Sequence, residues 1–200
     1  MGQLRKPPLV TPFTAMLAGD AAYFAAAKPL LEELLGPIAL ESPLYPFDST
    51  TYYAATMGPN LQRKFFVFER LADAGSLPAW KLATNALEAQ LCEHLRAAAL
   101  PLSPSPSREG VGGGAERDIP ARPINLDAGY LTGAKLVLAS TKDFAHRLYL
   151  RDGIFAEITL SFRGDAWASH QFTFPDFKSG IYDGFLRQAR DQHLRQIKHF

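Results

Sequence analysis

The segment from Arg122 to Phe162 contains more side chains able to do chemistry than any other part of the chain. Within it, Asp152-Gly153 is typical of a two-residue β-hairpin turn, and pairing counted from that turn makes His146 and Glu157 diagonal neighbours on one face. A carboxylate that orients an imidazole is the arrangement of a general base, or of an anion-binding histidine when the ring is charged. An ordinary cross-strand polar pair is the alternative interpretation.

Basic side chains gather at the start of the same hairpin. Lys142 lies in the connection that leads into it, and His146 and Arg147 follow. Cationic donors that converge on one end of a sheet favour a phosphate or carboxylate ligand. The predicted register places Arg147 on the face opposite His146 and Glu157, and a solvated connection is the simpler explanation of these charges.

Aspartates outside the hairpin are further candidates for ligand contact. Asp127 precedes a predicted helix over 131–140, whose first amide groups would add donors for an anion, although capping that helix is the simpler role for the carboxylate. Asp48 lies in a Pro- and Ser-rich loop with Tyr52 and Tyr53, whose rings are candidates for stacking on a base. An aspartate before Ser-Thr-Thr is equally typical of a helix N-cap.

Motifs for other chemistries are missing from the sequence. The five histidines show no HxxxH or HExxH spacing, no GxSxG is present, and the glycines at 112–114 are not followed by the Lys-Ser/Thr of a phosphate-binding loop. We therefore expect no metal site and no cofactor. Arg63 and Lys64 beside Phe65 and Phe66 resemble RNA-binding strands in composition, but a place in the core is the simpler role for the aromatic rings.

The overall composition is that of an ordinary globular protein. The chain has 200 residues, 47% of them hydrophobic and 20% charged, with a formal net charge of +1. These values fit one domain with its own core and argue against a strong field for nucleic acid or membrane surfaces. No apolar run approaches the roughly 18 residues of a spanning helix. We expect a cytoplasmic protein without membrane contact.

Apolar periodicity in the first half predicts strands and helices in the order β-α-β-β-α-β. Asp20 is the expected N-cap of the first helix, and Pro29 inside that helix should kink or divide it. This order is that of a ferredoxin-like split βαβ unit. The predicted segments are strands at 7–18, 38–44, 63–71 and 122–126, with helices at 20–35 and 78–98.

The second half is predicted to extend this unit within a single α+β domain over 1–200. After the helix at 131–140, the hairpin pairs 147–150 with 154–162 and sets Leu150 opposite Phe155. A third strand at 171–174 and an amphipathic helix at 183–197 follow. Residues 101–119 are rich in Pro, Ser and Gly and have almost nothing to bury, so a disordered loop insertion is expected there.

Short motifs outside that loop form a specific combination. They are PFD at 46–48, YY at 52–53, MG at 57–58, NLD at 125–127, GYLT at 129–132, KLVLASTKD at 135–143, HR at 146–147, YL at 149–150, DGI at 152–154, AEITL at 156–160 and PDF at 175–177. On these residues the chain resembles a bacterial family of unknown function, DUF4416. Pro29, Ala128 and the loop at 101–119 depart from the family pattern.

The resemblance implies very little about function, because the family has no assigned activity. Some members carry an automatic GTP-binding label, which this sequence does not support. It lacks GxxxxGK[ST], and the triplet at 141–143 lacks the extra residue of the guanine-reading TKxD pattern.

Three functional hypotheses follow from these residues. The first is a domain that binds an anionic or phosphorylated ligand, such as a nucleotide or RNA, through Lys142, His146 and Arg147, with a tyrosine at 52 or 53 stacked on a base. The second is a small hydrolase or transferase in which His146, oriented by Glu157, is the general base. The third is an interaction subunit without a ligand, whose polar cluster only fixes the hairpin. The sequence does not determine the oligomeric state.

Overall fold

A computed structural model of the chain describes residue 3 and residues 6–50, 52–99 and 119–198, without side-chain detail at 98 and 99. These residues form strands and helices in one mixed arrangement, so the predicted α+β class is confirmed. The loop expected to be disordered at 101–119 lies outside the described residues, apart from Ile119. None of the described helices is both long and apolar enough to cross a membrane.

The first half supplies five strands of the sheet. Its elements are β1 (Thr11–Ala18), α1 (Ala21–Leu35), β2 (Ile38–Glu41), β3 (Tyr45–Pro46), α2 (Ala54–Met57), β4 (Gln62–Phe68), α3 (Leu77–Ala99) and β5 (Ile124–Leu131). β1 lies between β4 and β5 and is antiparallel to both, while β2 pairs with the other edge of β4. Asp20 caps α1 by accepting from the Ala22 N–H at 2.8 Å, and the helix continues through Pro29 without a break.

The second half extends the same sheet beyond β5. Its elements are β6 (Lys135–Ser140), β7 (Leu148–Arg151), β8 (Ile154–Arg163), β9 (Ala166–Ser169), α4 (Pro175–Lys178) and α5 (Asp183–Ile197). The order β2-β4-β1-β5-β6-β8-β7 makes one sheet of nine strands, with β3 paired to β4 and β9 paired to β8. The sequence predicted seven strands, two fewer than this sheet contains.

The helix predicted over 131–140 is wrong, because β5 ends and β6 begins within that segment. The Thr132 hydroxyl accepts from the N–H groups of Ala134 and Lys135, both at 3.1 Å, and so closes a tight turn between the strands. Residues 136–139 are buried on both faces of the sheet. A short apolar run of this kind fits a buried strand as well as a buried helix, so periodicity could not separate the two.

The hairpin turn is confirmed, but its predicted register is wrong. Asp152 and Gly153 have φ values of 55° and 73°, as a type I′ turn requires. A bulge at Leu150 then shifts the pairing, so that Tyr149 rather than Leu150 lies opposite Phe155.

The third strand predicted at 171–174 is also wrong. β9 lies earlier, directly after a turn at Gly164-Asp165 in which both residues have positive φ. Gly-Asp is itself a hairpin-turn signal, so this strand could have been found from the sequence.

Helices cover the two faces of the sheet and create two main apolar clusters. α1 and α3 pack on one face against Met16, Phe66 and Leu126, and α5 packs on the other face against Phe13 and Phe65. Phe65 and Phe66 have 0% exposure. The core role is therefore confirmed for these rings, and they provide no exposed platform for stacking bases.

We expect the free energy of unfolding to fall as the pH drops below 6.5 because of His193. This buried residue of α5 contacts Thr11 Oγ1 through Nδ1 at 2.9 Å, and burial, together with the charge of Arg190, lowers its pKa below the usual 6.5. The unfolded chain therefore takes up a proton that the folded state resists. The variant His193→Asn keeps a polar group facing Thr11. Denaturant titrations at several pH values should show that its free energy of unfolding lacks the part of the pH dependence that His193 causes. Identical pH slopes in both proteins would contradict the prediction.

Gly129→Ala should destabilise the fold by about 1–3 kcal/mol, the usual effect of overpacking. A Cβ at Gly129 in β5 would overlap the Val137 carbonyl oxygen and come within 2.6 Å of Leu138 Cδ2. Gly184→Ala in α5 is the matched control, because a Cβ there meets nothing within 4 Å. Urea unfolding should show a lower free energy of unfolding only for Gly129→Ala. Equal free energies for the two variants would show that the close approach at Gly129 does not require glycine.

Candidate functional site

A cavity of about 130 Å³ opens where β5 and β6 separate. The two strands pair only between Gly129–Leu131 and Leu136–Leu138, and no strand among the described residues pairs with that edge of β5 before Gly129. We call this space the β5–β6 cleft. Its polar lining consists of Tyr53, Lys81, Asn85, Arg122, Asn125, Asp127, Ser140, Thr141, Lys142, Arg147 and Glu157.

Side chains of α3 take the place of the missing strand along the edge of β5. Lys81 Nζ donates to the Leu126 carbonyl at 2.8 Å, and Glu88 Oε1 accepts from the Leu126 N–H at 2.7 Å. Buried main-chain groups need such partners, and an unpaired strand edge offers none. The helix therefore keeps the cleft open without leaving these groups unsatisfied.

The same α3 side chains continue into a polar network along the β5 wall of the cleft. Lys81 Nζ lies 2.9 Å from Asp127 Oδ1, and the Asn125 amide donates to Asp127 Oδ2 at 2.7 Å. Arg122 donates to Asn125 Oδ1 and also to Glu88, at 2.9 Å. Every carboxylate on this wall therefore has a cationic partner that fixes its position.

The two carboxyl groups of this wall respond differently to their surroundings. Burial disfavours the charged form of Asp127, but the charges of Lys81 and Arg63 and the hydrogen bonds from Lys81 and Asn125 outweigh it, so its pKa is lowered. Burial dominates at Glu88 and raises its pKa, despite Lys81, Arg122 and the bond from Leu126. Asp127 is consequently the stronger acid of the pair.

The opposite wall is organised by Glu157, which is 4% exposed. Its Oε2 accepts from His146 Nε2 at 2.8 Å and from Arg147 Nε at 2.9 Å. The predicted contact between His146 and Glu157 is confirmed, whereas the predicted placement of Arg147 on the opposite face is wrong. The bulge at Leu150 shifts the register by one residue and brings Arg147 to the same carboxylate.

Lys142 stands at the mouth of the cleft. Its carbonyl oxygen accepts from Arg147 Nη1 at 3.0 Å, and its ammonium group lies 3.2 Å from the hydroxyl of Tyr52, a residue that is 67% exposed. Within the part of the chain that the structure describes, this ammonium group has no carboxylate partner. It is therefore available to an anion from solvent.

His146 lines a different cavity, of about 400 Å³, with mainly apolar walls. We call this cavity the apolar pocket. The imidazole stacks on Phe172 with 4.9 Å between ring centroids and meets the ring of Phe144 edge-on at 5.5 Å. Nδ1 is buried and has no hydrogen-bond partner among the described residues. Glu157 lies between this pocket and the cleft and lines both.

The structure thus brings some predicted residues together and separates others. Tyr53, Asp127, Lys142, Arg147 and Glu157 line the cleft, with Tyr52 beside its mouth. The expected helix-capping role of Asp127 is wrong, because this residue lies inside β5 and the next element is the strand β6.

Asp48 is separate from the cleft and lies exposed beside another groove. Its alternative role as an N-cap is also wrong, because α2 begins after Tyr53 without a side-chain cap.

Sequence reasoning missed the α3 residues of the site. Lys81, Thr84 and Glu88 recur at helical spacing beside the apolar stripe of the predicted helix, and Lys81 is almost fully buried. A charge on the buried side of a helix needs a polar partner, so this pattern was a usable signal. Arg122 and Asn125 had no such signal, because what brings them into the site is the pairing of Arg122 with Glu88, 34 positions earlier in the chain.

Among the residues that the structure describes, there is no group of three or more His, Cys, Asp or Glu side chains that could hold a metal ion. The arrangement can instead hold an anion by its cations or a hydroxyl-bearing group by its carboxylates and amides.

Comparison with protein families finds one model that matches most of the chain. The model is described as Domain of unknown function (DUF4416) and matches residues 8–101 and 115–193. Comparisons with curated proteins and with solved structures find no match. The matched residues include both walls of the β5–β6 cleft and the apolar pocket. The chain therefore belongs to the DUF4416 family, which confirms the family resemblance noted in its sequence motifs.

Proposed function

We propose that the β5–β6 cleft binds a small anionic ligand, most simply through a phosphate or carboxylate group. The observation that supports this proposal best is the ammonium group of Lys142 at the mouth, which lacks a carboxylate partner in the described part of the chain. Arg147 lies beside it, with Nε and Nη1 engaged and further N–H groups on the same planar guanidinium. Together they offer the charge-assisted donors that an oxyanion prefers.

The carboxylates of the cleft do not cancel this attraction. Glu157 is held by Arg147 and His146, and Asp127 is held by Lys81 and Asn125, so both are already neutralised by close partners. Lys142 adds a positive charge to this balanced set. An anion that enters the mouth therefore meets a net positive field from the nearest side chains.

The size of the cleft limits which part of a ligand it can enclose. Its volume of about 130 Å³ is below the roughly 300 Å³ at which sites for drug-sized molecules begin. We infer that it holds the anionic group alone and that the rest of a larger ligand lies outside. For a nucleotide, the ring of Tyr52 would stack on the base, which its exposure at the mouth supports, whereas Tyr53 packs against Phe47.

RNA is the weaker version of the same proposal. An RNA surface needs several exposed aromatic or basic side chains along a path, and Phe65 and Phe66 are buried.

Lys142→Met should weaken binding of inorganic phosphate and ribose 5-phosphate about fivefold, because it removes a solvent-exposed charge worth about 1 kcal/mol. Binding should be measured by thermal shift and calorimetry at constant ionic strength. Lys28→Met is the matched control, since Lys28 pairs with Glu41 on a distant surface. The proposal fails if wild-type protein responds to phosphate no more than to chloride, or if both variants lose affinity equally.

A hydrolase or transferase with His146 as the base is the alternative function. The 2.8 Å contact with Glu157 favours it, because the carboxylate fixes the ring and leaves Nδ1 as the reactive atom. That atom is buried beside the rings of Phe144 and Phe172, in the apolar pocket rather than in the cleft. We therefore rank this function below anion binding.

His146→Gln should leave phosphate affinity within about twofold of wild type, because the amide can still donate to Glu157 and the residue does not line the cleft. We also expect no hydrolysis of p-nitrophenyl phosphate or p-nitrophenyl acetate above the buffer rate by either protein. Wild-type turnover that disappears in a folded His146→Gln variant would favour the enzyme instead. Absence of both binding and turnover would leave the role of an interaction subunit.

We also propose that the first half of the chain is a ferredoxin-like unit. The order β2-β4-β1-β5, with antiparallel pairing throughout, supports this interpretation. So does the position of α1 and α3 on one face of these strands. In this interpretation the cleft lies at the edge of the unit, where β6 is added to β5.

A further inference from the structure

We propose that the apolar pocket is a second ligand site, which binds an apolar carboxylic acid such as a medium-chain fatty acid or an aryl-alkanoic acid. This site is separate from the anion cleft, and the proposal does not rest on that function. It rests on the shape and exposure of the pocket walls, on one buried nitrogen and on the charges that line the pocket.

The walls of the pocket are apolar and open to solvent. Its volume of about 400 Å³ falls within the range of roughly 300–1,000 Å³ typical of small-molecule sites. α3 begins at Leu77, which packs on Val137, and leaves the neighbouring face of β7 and β8 uncovered, so that Leu148 is 75% exposed and Ile158 is 47% exposed. Large apolar side chains clustered in this way usually mark a binding surface, because their exposure to water is unfavourable.

His146 supplies a polar anchor within these walls. Its Nε2 donates to the Glu157 carboxyl group, which fixes the ring and leaves Nδ1 as the only ring nitrogen able to meet a ligand. Nδ1 is buried without a partner among the described residues, and such an atom gains a hydrogen bond when a ligand supplies one. An imidazolium between Glu157 and a ligand carboxylate would have both of its N–H groups satisfied.

The charge of the lining selects an acid. Lys135 borders the pocket and has no carboxylate partner among the residues that the structure describes, while Glu157 is already held by Arg147. His170 also lines the pocket, and its Nε2 contacts the Ser161 hydroxyl at 3.0 Å. A ligand with an apolar body and a carboxylate head therefore matches both the walls and the charge of the pocket, whereas an amine would meet like charge.

Calorimetry with octanoate and octan-1-ol tests this assignment. Wild-type protein should bind octanoate, and Lys135→Met, which keeps the aliphatic stem, should weaken octanoate about fivefold while changing octan-1-ol little. Ile158→Asp should abolish binding of both compounds by placing a charge on the apolar wall. Lys142→Met, which acts at the other site, should leave octanoate affinity unchanged.

Several results would overturn the proposal. One is that octanoate fails to bind at millimolar concentration, and another is that Lys135→Met and Ile158→Asp bind it as wild type does. A third is a concentration-dependent dimer, seen by sedimentation, that Leu148→Glu dissociates while octanoate has no effect on it. In that case the apolar face is a contact between two copies of the chain. If wild-type protein binds phosphate but not octanoate, the proposal for the apolar pocket fails and the proposal for the β5–β6 cleft is unaffected.

Discussion

β5 and β6 are separated on the N-terminal side of Gly129, and the polar centre of this protein depends on that separation. At Gly129 the strands approach so closely that no side chain fits, and before Gly129 no strand in the described part of the chain pairs with this edge of β5. An unsatisfied buried main-chain group costs about 1–3 kcal/mol, so the open edge needs other partners. Lys81 and Glu88 provide them from α3 at Leu126. Because these partners are charged side chains rather than a strand, the space they keep open is polar.

Glu157 connects the cleft with the apolar pocket. Its Oε2 accepts from Arg147, which lines the cleft, and from His146, which lines the pocket. A buried carboxylate of this kind is stable only when its cationic partners hold a fixed geometry. The two cavities therefore share one charge, and the position of Arg147 depends on the side chain that also orients His146. A change at Glu157 would therefore alter both cavities.

The accuracy of sequence-based prediction here followed the range of the interactions involved. The Asp20 cap, the turn at Asp152-Gly153 and the bounds of the last helix depend on neighbours within a few residues, and all three are confirmed. The helix predicted over 131–140 is wrong because a buried apolar run has the same composition in either structure. The hairpin register is wrong because the bulge at Leu150 has no signature in its turn residues.

The sequence by itself determined the α+β class, the family and the proximity of His146 to Glu157, since these follow from local patterns and from the chain reversal at one short hairpin, although the register predicted for that hairpin is wrong. Only the tertiary structure decided which charges share a cavity. Lys81 meets Asp127 across 46 positions of the chain, and Lys142 meets Tyr52 across 90. Such pairs depend on how β5, β6 and α3 are placed in the sheet, and packing between distant segments determines that placement. The separation of His146 from the cleft has the same physical reason.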